Sequence, residues 1–276
     1  VHQIPEAGRI AGGKAIVNLL DLRDDEAIAA TIPIREFDPS LFMVLATRKG
    51  VIKKTNLAKY SNVRKDGIIA INIDEDDELL EVKLTQGDDQ LMLATETGMS
   101  VRFEETRLRD QGRVTRGVRG IRLREGDRLN SLDVVDPEST FLVCTENGYG
   151  KRTSFDEWRV MNRGGIGIIA IRTTERNGNV VGAQTVKESD SLMLITANGK
   201  MIRMHVSDIS VIGRSTQGVR LINLDEGDSL VSAITFEAED EIEGDAAPAE
   251  SDEGGDSSPE AETQTADEID ASPATE

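Results

Sequence analysis

The chain has 276 residues, of which 38% are hydrophobic and 3% aromatic, and a formal net charge of −19. Sparse aromatic residues argue against a surface that binds single strands by base stacking. One Cys and two His argue against a disulfide framework and a metal site. No apolar run approaches the roughly 18 residues of a membrane span, and no signal peptide is recognisable. We therefore expect a cytoplasmic protein, and the absence of an initiating Met predicts a fragment that begins in mid-chain.

The negative charge is unevenly distributed. Residues 237–276 contain 16 acidic residues and no Lys or Arg, which leaves 35 acidic against 32 basic residues in the remainder. This terminal segment is rich in Ala, Ser, Gly and Pro and has no apolar periodicity, so we expect a disordered acidic tail. The composition fits both a solvating tail and an intramolecular polyanion that competes with nucleic acid for basic residues.

The rest of the chain consists of repeats with a period of about 50 residues. Residues 1–40 form a half unit, and four complete units follow: unit 1 (41–89), unit 2 (90–139), unit 3 (140–190) and unit 4 (191–236). Each complete unit contains a Thr-x-x-Gly turn after an apolar run: Thr47–Gly50, Thr95–Gly98, Thr145–Gly148 and Thr196–Gly199. Function should therefore be sought in what the units share.

Each unit contains four short β-rich runs separated by turn residues, which is typical of a β-propeller blade. The run after the basic loop reads IIAINI, VRGIRL, IIAIRT and VRLINL in units 1 to 4. We predict an all-β protein, a propeller of about four and a half blades, in which the half unit is a partial blade. A β-solenoid is the alternative, although stacked solenoids usually have shorter repeats.

Two series of basic residues recur in register. The first series lies four residues after each turn glycine: Lys54, Arg102, Arg152 and Arg203. The second series precedes a glycine by three or four residues: Arg9, Arg64, Arg113, Arg163 and Arg214. The neighbouring cations Lys14, Lys53, Lys65, Arg116 and Lys151 complete the candidate DNA-binding set.

Blades arranged around an axis would turn each series into a curved row of positive charge. Such a row suits duplex DNA, which carries one phosphate charge per about 1.7 Å of its axis. Because the sequence has no recognition helix and no zinc-finger spacing, we expect backbone contacts and DNA bending rather than base readout. The alternative is that outward-facing cations simply keep the repeats soluble.

Residues suited to single-site chemistry are few. Tyr60 and Tyr149 lack a surrounding cluster of His, Arg or metal ligands, and Tyr149 lies inside a tight turn. Cys144 lies in an apolar run and is predicted to be a core thiol, and Trp158 is predicted to be a packing residue. We predict no catalytic residue, no metal site and no cofactor in this chain.

The strings NGYGKRT (147–153), TERNG (174–178), VRGIRL (118–123) and HQIPEAGRIAGGKAIVNLL (2–20) resemble the C-terminal domain of the DNA gyrase A protein. The resemblance covers all repeats. It implies a six-bladed, pinwheel-like propeller that wraps duplex DNA around a basic rim and supports negative supercoiling. It also implies an A2B2 complex, formed with a second copy of the A protein and with the gyrase B protein, which uses ATP and Mg²⁺.

The sequence departs from the family pattern at its glycine-rich box, Gln-Arg-Arg-Gly-Gly-x-Gly. The nearest segment, MNRGGIG (161–167), keeps Arg163 and the three glycines but has Met161 and Asn162 in place of Gln and Arg. We therefore expect the first blade, which carries the full box, and the DNA-cleaving domain to be missing. The equivalent propeller of topoisomerase IV, which serves decatenation, and a protein-binding propeller scaffold are the alternatives.

Overall fold

The computed structural model describes residues 22, 26–64 and 67–237. The chain divides into two compact parts, Val1–Ala238 and Glu239–Glu276. The second part, which holds most of the predicted tail, lies outside the described residues. Arg9, Lys14 and Lys65 also lie outside them. Residues 26–41 contain no strand. From residue 42 onwards the described chain is built from short strands and single 3-10 turns.

Fifteen strands are present in the described residues. They are β1 (Phe42–Thr47), β2 (Val51–Asn56), β3 (Leu79–Thr85), β4 (Gln90–Thr95), β5 (Met99–Glu104), β6 (Val118–Arg119), β7 (Leu129–Val134), β8 (Thr140–Thr145), β9 (Tyr149–Ser154), β10 (Ile168–Ile169), β11 (Val180–Val186), β12 (Ser191–Thr196), β13 (Met201–His205), β14 (Val219–Arg220) and β15 (Leu230–Phe236). The 3-10 helices Leu57–Tyr60, Glu105–Arg107, Phe155–Glu157 and Val206–Asp208 follow the second strand of units 1 to 4.

The strands form four antiparallel sheets, which confirms the predicted all-β class. Their orders are β3-β1-β2-β6, β10-β5-β4-β7, β11-β8-β9-β14 and β13-β12-β15. Each sheet begins with a hairpin closed by the predicted Thr-x-x-Gly turn, where for example the Gly50 N–H donates to the Thr47 carbonyl at 2.9 Å. Gly50 has φ +77°, a left-handed conformation that favours glycine.

The fourth strand of a sheet comes from the next repeat. β6 of unit 2 pairs with β2 of unit 1 (Ile52 opposite Val118), β10 of unit 3 pairs with β5 of unit 2, and β14 of unit 4 pairs with β9 of unit 3. The sequence predicted four runs per unit but not this exchange, because hydrogen bonds between distant segments leave no local pattern. Consecutive repeats are therefore joined through their backbones.

A glycine before each exchanged strand permits this pairing. Gly167 precedes β10 with φ +81°, and a Cβ there would overlap the Ser100 carbonyl of β5. Gly117 and Gly218 occupy the same position before β6 and β14, against Ile52 and Gly150. Only glycine allows the two backbones to approach this closely.

Three hydrophobic cores lie between successive sheets. Val44 and Ile52 of unit 1 pack with Leu93 and Phe103 of unit 2 in the first core. The second core joins units 2 and 3, and the third joins units 3 and 4. Burial of these apolar surfaces is the main force that holds each repeat against its neighbour.

Two sequence predictions are confirmed by the second and third cores. Trp158 is 2% exposed, meets Phe141 edge to face at 5.6 Å between ring centroids, and donates from Nε1 to Ser100 Oγ at 2.8 Å. It is a packing residue between units 2 and 3. Cys144 is fully buried in the third core, and burial raises the pKa of its thiol to about 12.

The two ends of the array differ from its middle. The run 68–73 of unit 1, predicted to be a strand, has no strand assignment, although its Asn72 N–H donates to the Thr115 carbonyl. The last sheet has three strands, and its edge strand β13 alternates between exposed and half-buried residues, with Met201 66% exposed. Within the described chain, no exchanged strand covers β13.

Candidate nucleic-acid interface

The first cationic series points largely into the protein. The Lys54 side chain contacts Glu105, at the start of the 3-10 helix of unit 2, with 2.9 Å between Nζ and Oε1. Lys54 Nζ also donates to the Gly87 carbonyl at 2.7 Å and lies 4.1 Å from the Phe42 ring centroid. Because Lys54 is 5% exposed and Glu105 is fully buried, this ion pair is a structural link between units 1 and 2.

Arg102 and Arg152 make the same kind of link in the next two units. Arg102 Nη1 donates to the Phe155 carbonyl at 2.7 Å, in the 3-10 helix of unit 3. Arg152, which is 3% exposed, donates from Nε to the Ile209 carbonyl at 2.7 Å, beside the 3-10 helix of unit 4. Each of these two arginines therefore donates to carbonyls in or just after the following unit's 3-10 helix.

Arg203 occupies the equivalent position in unit 4 but is exposed. Its guanidinium donates to Ser191 Oγ at 3.1 Å and lies 5.2 Å from the Phe236 ring centroid. No following repeat covers it in the described part of the chain. The expectation that this series forms one exposed row is therefore corrected: three members link repeats, and Arg203 alone is exposed.

Lys53 and Lys151 are also interior residues, which corrects their prediction as surface cations. Both are fully buried. Lys53 Nζ donates to the carbonyls of Ala70 and Arg113, and Lys151 Nζ donates to those of Gly213 and Arg214 at 2.6 Å each. Burial, reinforced by a nearby arginine, lowers the pKa of each lysine to about 8. These lysines hold the basic loop of the following unit in place.

The second series lies at the surface and has a partly structural role. Arg64 is exposed, while Arg113, Arg163 and Arg214 are partly exposed. The Nη1 atoms of the last three arginines donate to equivalent carbonyls of the preceding unit. Arg113 donates to Ile69 at 3.3 Å, Arg163 to Arg119 at 3.0 Å and Arg214 to Ile169 at 2.6 Å. Each of these three arginines is therefore oriented by the neighbouring repeat while part of its side chain remains accessible.

The structure adds exposed arginines at positions that are not basic in every unit. They lie in or just after the 3-10 helices, or in and after the exchanged strands, of units 2 and 3: Arg107, Arg109, Arg119, Arg122, Arg159 and Arg172. Together with Arg113, Arg163 and Arg214 we call them the loop arginines. The sequence prediction missed them because they occur in only one or two units, whereas it rested on positions that every unit shares.

Arg163 connects several loop arginines across units 2 and 3. Its Nε donates to the Arg107 carbonyl at 3.2 Å, and its Nη1 donates to the Arg119 carbonyl. The Arg122 N–H donates to the Gly165 carbonyl at 2.8 Å. A concavity of about 410 Å³ beside them is lined by Glu104, Arg107, Arg159, Val160, Met161 and Asn162.

None of the loop arginines forms an ion pair with a carboxylate of the described residues, whereas Arg116 pairs with Asp74 and Arg48 with Glu78 and Glu96. Guanidinium groups without a carboxylate partner retain donors for external oxyanions, and phosphate matches their fork geometry. No group of three or more His, Cys, Asp or Glu suited to a metal occurs in residues 22, 26–64 and 67–237. The arrangement suits binding of a polyanion.

These sheets, exchanged strands and loop arginines define a repeat protein of the β-propeller class with a basic loop surface. A family model described as DNA gyrase C-terminal domain, beta-propeller, matches residues 1–35, 42–86, 89–136, 139–187 and 190–237. The chain belongs to this family, as its sequence motifs indicated.

Similar curated proteins are the A subunits of bacterial DNA gyrases. The protein from Salmonella typhimurium is 47% identical over 231 residues, which are 84% of this chain and 26% of that protein. The protein from Mycolicibacterium smegmatis is 44% identical over 259 residues, 91% of this chain and 31% of that protein. The chain therefore spans between a quarter and a third of the length of these relatives.

Two solved structures are similar throughout the repeats. The C-terminal domain of DNA topoisomerase IV matches with a TM-score of 0.77 and 28% identity, over 82% of this chain and 71% of that one. The DNA gyrase A C-terminal domain matches with a TM-score of 0.74 and 27% identity, over 82% and 76%. In the described residues, no helix is long and apolar enough to cross a membrane.

Proposed function

We infer that this chain binds duplex DNA and bends it along the loop arginines, as part of a bacterial type II topoisomerase in the cytoplasm. The observation that carries the proposal is a set of surface guanidiniums on consecutive repeats, none of which has a carboxylate partner in the part of the chain that the structure describes. Curving duplex DNA costs on the order of 1–6 kcal/mol per 20–30 base pairs. Several repeats must therefore contribute phosphate contacts together.

Within the whole enzyme, the wrapped duplex would give strand passage a direction and support negative supercoiling. This part of the proposal rests on similarity to the gyrase A proteins. It includes assembly into an A2B2 complex with a second copy of the A protein and with the gyrase B protein, which would supply ATP hydrolysis with Mg²⁺. This chain would contribute DNA binding and geometry, and no catalytic group.

The test compares two triple variants in a duplex-binding titration across a salt series. Arg109→Gln, Arg122→Gln and Arg159→Gln together remove three loop arginines whose guanidiniums have no protein hydrogen bond in the described residues. The control, Arg48→Gln, Lys49→Gln and Lys200→Gln, removes the same charge from side chains already paired with carboxylates.

We expect strongly salt-dependent binding by the native chain. The loop-arginine variant should have a log–log salt slope shallower by about three, and the control should change little, because each phosphate contact contributes about 0.9 to the slope. Absence of duplex binding at low salt, or equal slopes for the two variants, would refute the proposal.

A topoisomerase IV role is the second candidate, favoured by the TM-score of 0.77 to that enzyme's C-terminal domain. The two roles differ in the reaction of the assembled enzyme. Fused to a gyrase catalytic core, this chain should restore negative supercoiling of relaxed plasmid. Restoration of decatenation alone would favour the second role.

A further inference from the structure

The turn ends of units 3 and 4 contain a cationic cluster that interrupts the repeat pattern. Tyr149 begins β9, Arg220 lies opposite it on the exchanged strand β14, and Arg176 lies in the polar turn before β11. The corresponding turn position is Asp76, Gly126 and Gly227 in the other units, so an arginine at this position is particular to unit 3. We refer to Tyr149, Arg176 and Arg220 as the Tyr149 cluster.

Both guanidiniums in the cluster converge on one neutral oxygen. Arg220 Nη2 donates to the Tyr149 hydroxyl at 2.8 Å, and Arg176 Nε donates to the same hydroxyl at 3.3 Å. Their Cζ atoms lie 5.3 and 4.9 Å from the Tyr149 ring centroid. Tyr149 is 4% exposed, so packing fixes its position, while both arginines are exposed.

No carboxylate of the described residues neutralises the cluster. Neither Arg176 nor Arg220 forms an ion pair with a carboxylate among the described residues, and Glu175, next in sequence to Arg176, is not within ion-pair distance of either. Asn223 Oδ1 accepts from Arg220 Nη1 at 3.1 Å. Each guanidinium has five N–H donors, so most of them remain unused. Two like charges held together without a counter-ion favour a ligand of opposite charge.

We propose that the Tyr149 cluster is a phosphate-binding site, in which the Arg176 and Arg220 guanidiniums clamp one phosphate group and the Tyr149 hydroxyl sets their positions. Because both arginines lie within hydrogen-bond distance of one atom, one tetrahedral oxyanion can reach both. The phosphate source is either the backbone of a bound duplex, which rests on the proposed function, or a free phosphate compound, which does not.

Tyrosine ionisation supplies a readout for the intact chain. The chain has two tyrosines. Hydrogen bonds from Arg176 and Arg220 lower the pKa of Tyr149, whereas burial raises the pKa of Tyr60. The lower step of a tyrosinate absorbance titration therefore reports Tyr149. A bound phosphate adds negative charge beside the hydroxyl and should move that step upward.

The first experiment records this titration in sodium chloride and in sodium phosphate at equal ionic strength. For the native chain we expect phosphate to raise the lower step, by on the order of half a pH unit. The double variant Arg176→Gln with Arg220→Gln should lose this response. The control Arg48→Gln with Lys200→Gln, which removes the same charge elsewhere, should keep it. An unchanged step in the native chain, or a response retained by the cluster variant, would overturn the site.

The second experiment identifies the phosphate source by duplex binding across a salt series. If the source is DNA, the cluster variant should bind duplex about three- to tenfold more weakly at physiological salt, with a slope shallower by about one relative to the control variant. If phosphate raises the lower step of the native chain but the cluster variant binds duplex as tightly as the control variant, the site stands and is assigned to free phosphate compounds. If the native chain binds no duplex but responds to phosphate, the proposed function fails and the site stands.

Discussion

Replacing Lys54 tests whether the first cationic series holds repeats together or contacts DNA. Lys54→Met removes the counter-ion of Glu105, which is fully buried and, among the described residues, retains two donors, the Thr85 hydroxyl (2.7 Å) and the Gly87 N–H (3.2 Å). Removing one partner of a buried ion pair costs about 3–5 kcal/mol, because the remaining charge stays buried without compensation. We expect the free energy of unfolding in urea to fall by about that amount.

A double-mutant cycle isolates the ion pair from general packing. Glu105→Gln removes the carboxylate charge. The double variant should therefore lose less free energy of unfolding than the two single variants lose in sum, with a coupling energy of about 2–3 kcal/mol. Arg203→Met is the matched control, since this exposed residue bonds Ser191 Oγ rather than a buried carboxylate. We expect it to cost at most about 1 kcal/mol.

Duplex binding by the same variants gives the decisive comparison. Under conditions in which Lys54→Met remains folded, its affinity for duplex DNA should change less than twofold, because the Lys54 side chain is 5% exposed. A variant with native stability and at least tenfold weaker DNA binding would refute the structural assignment.

Three further outcomes are expected. Gly167→Ala should lower the free energy of unfolding by more than about 2 kcal/mol, because the new Cβ would overlap the Ser100 carbonyl. Gly199→Ala, where φ is also +81° but the space around the residue is open, should lower it by only about 1 kcal/mol. Equal losses in urea unfolding would contradict the close strand approach. The pKa of Lys151 is lowered to about 8 from 10.5, so between these pH values the folded chain has released a proton that the unfolded chain keeps, and the free energy of unfolding should rise with pH. Lys151→Met should reduce this rise between pH 7.5 and 9.5 by about 1–2 kcal/mol in urea unfolding. An undiminished rise would count against a buried Lys151 with a lowered pKa. Deleting residues 237–276, which contain 16 acidic residues, should strengthen duplex binding at low salt if the segment competes for the loop arginines; unchanged affinity would leave it a solubility role.

Local chemistry allowed the sequence to determine the repeat and its class. The Thr-x-x-Gly turns and the alternation of short apolar runs with polar turns predicted β-rich units, and the turn glycines adopt φ between +77° and +81°. Cys144 was correctly placed in the interior because it ends an apolar run, and Trp158, although it lies between Glu157 and Arg159, was correctly predicted to be a packing residue. The family assignment also followed from sequence, through the combination of four strings that each occur once.

Only the tertiary structure decided which cations face solvent. Arg152 and Arg203 occupy equivalent positions in their repeats, yet one is 3% exposed and the other is exposed. The difference arises from the 3-10 helix of a following repeat, whose carbonyls Arg152 caps and which the described chain does not place beside Arg203. Burial of a charge depends on what a distant segment brings to it, and the exchanged strands determine that segment through backbone pairing rather than through a local sequence pattern.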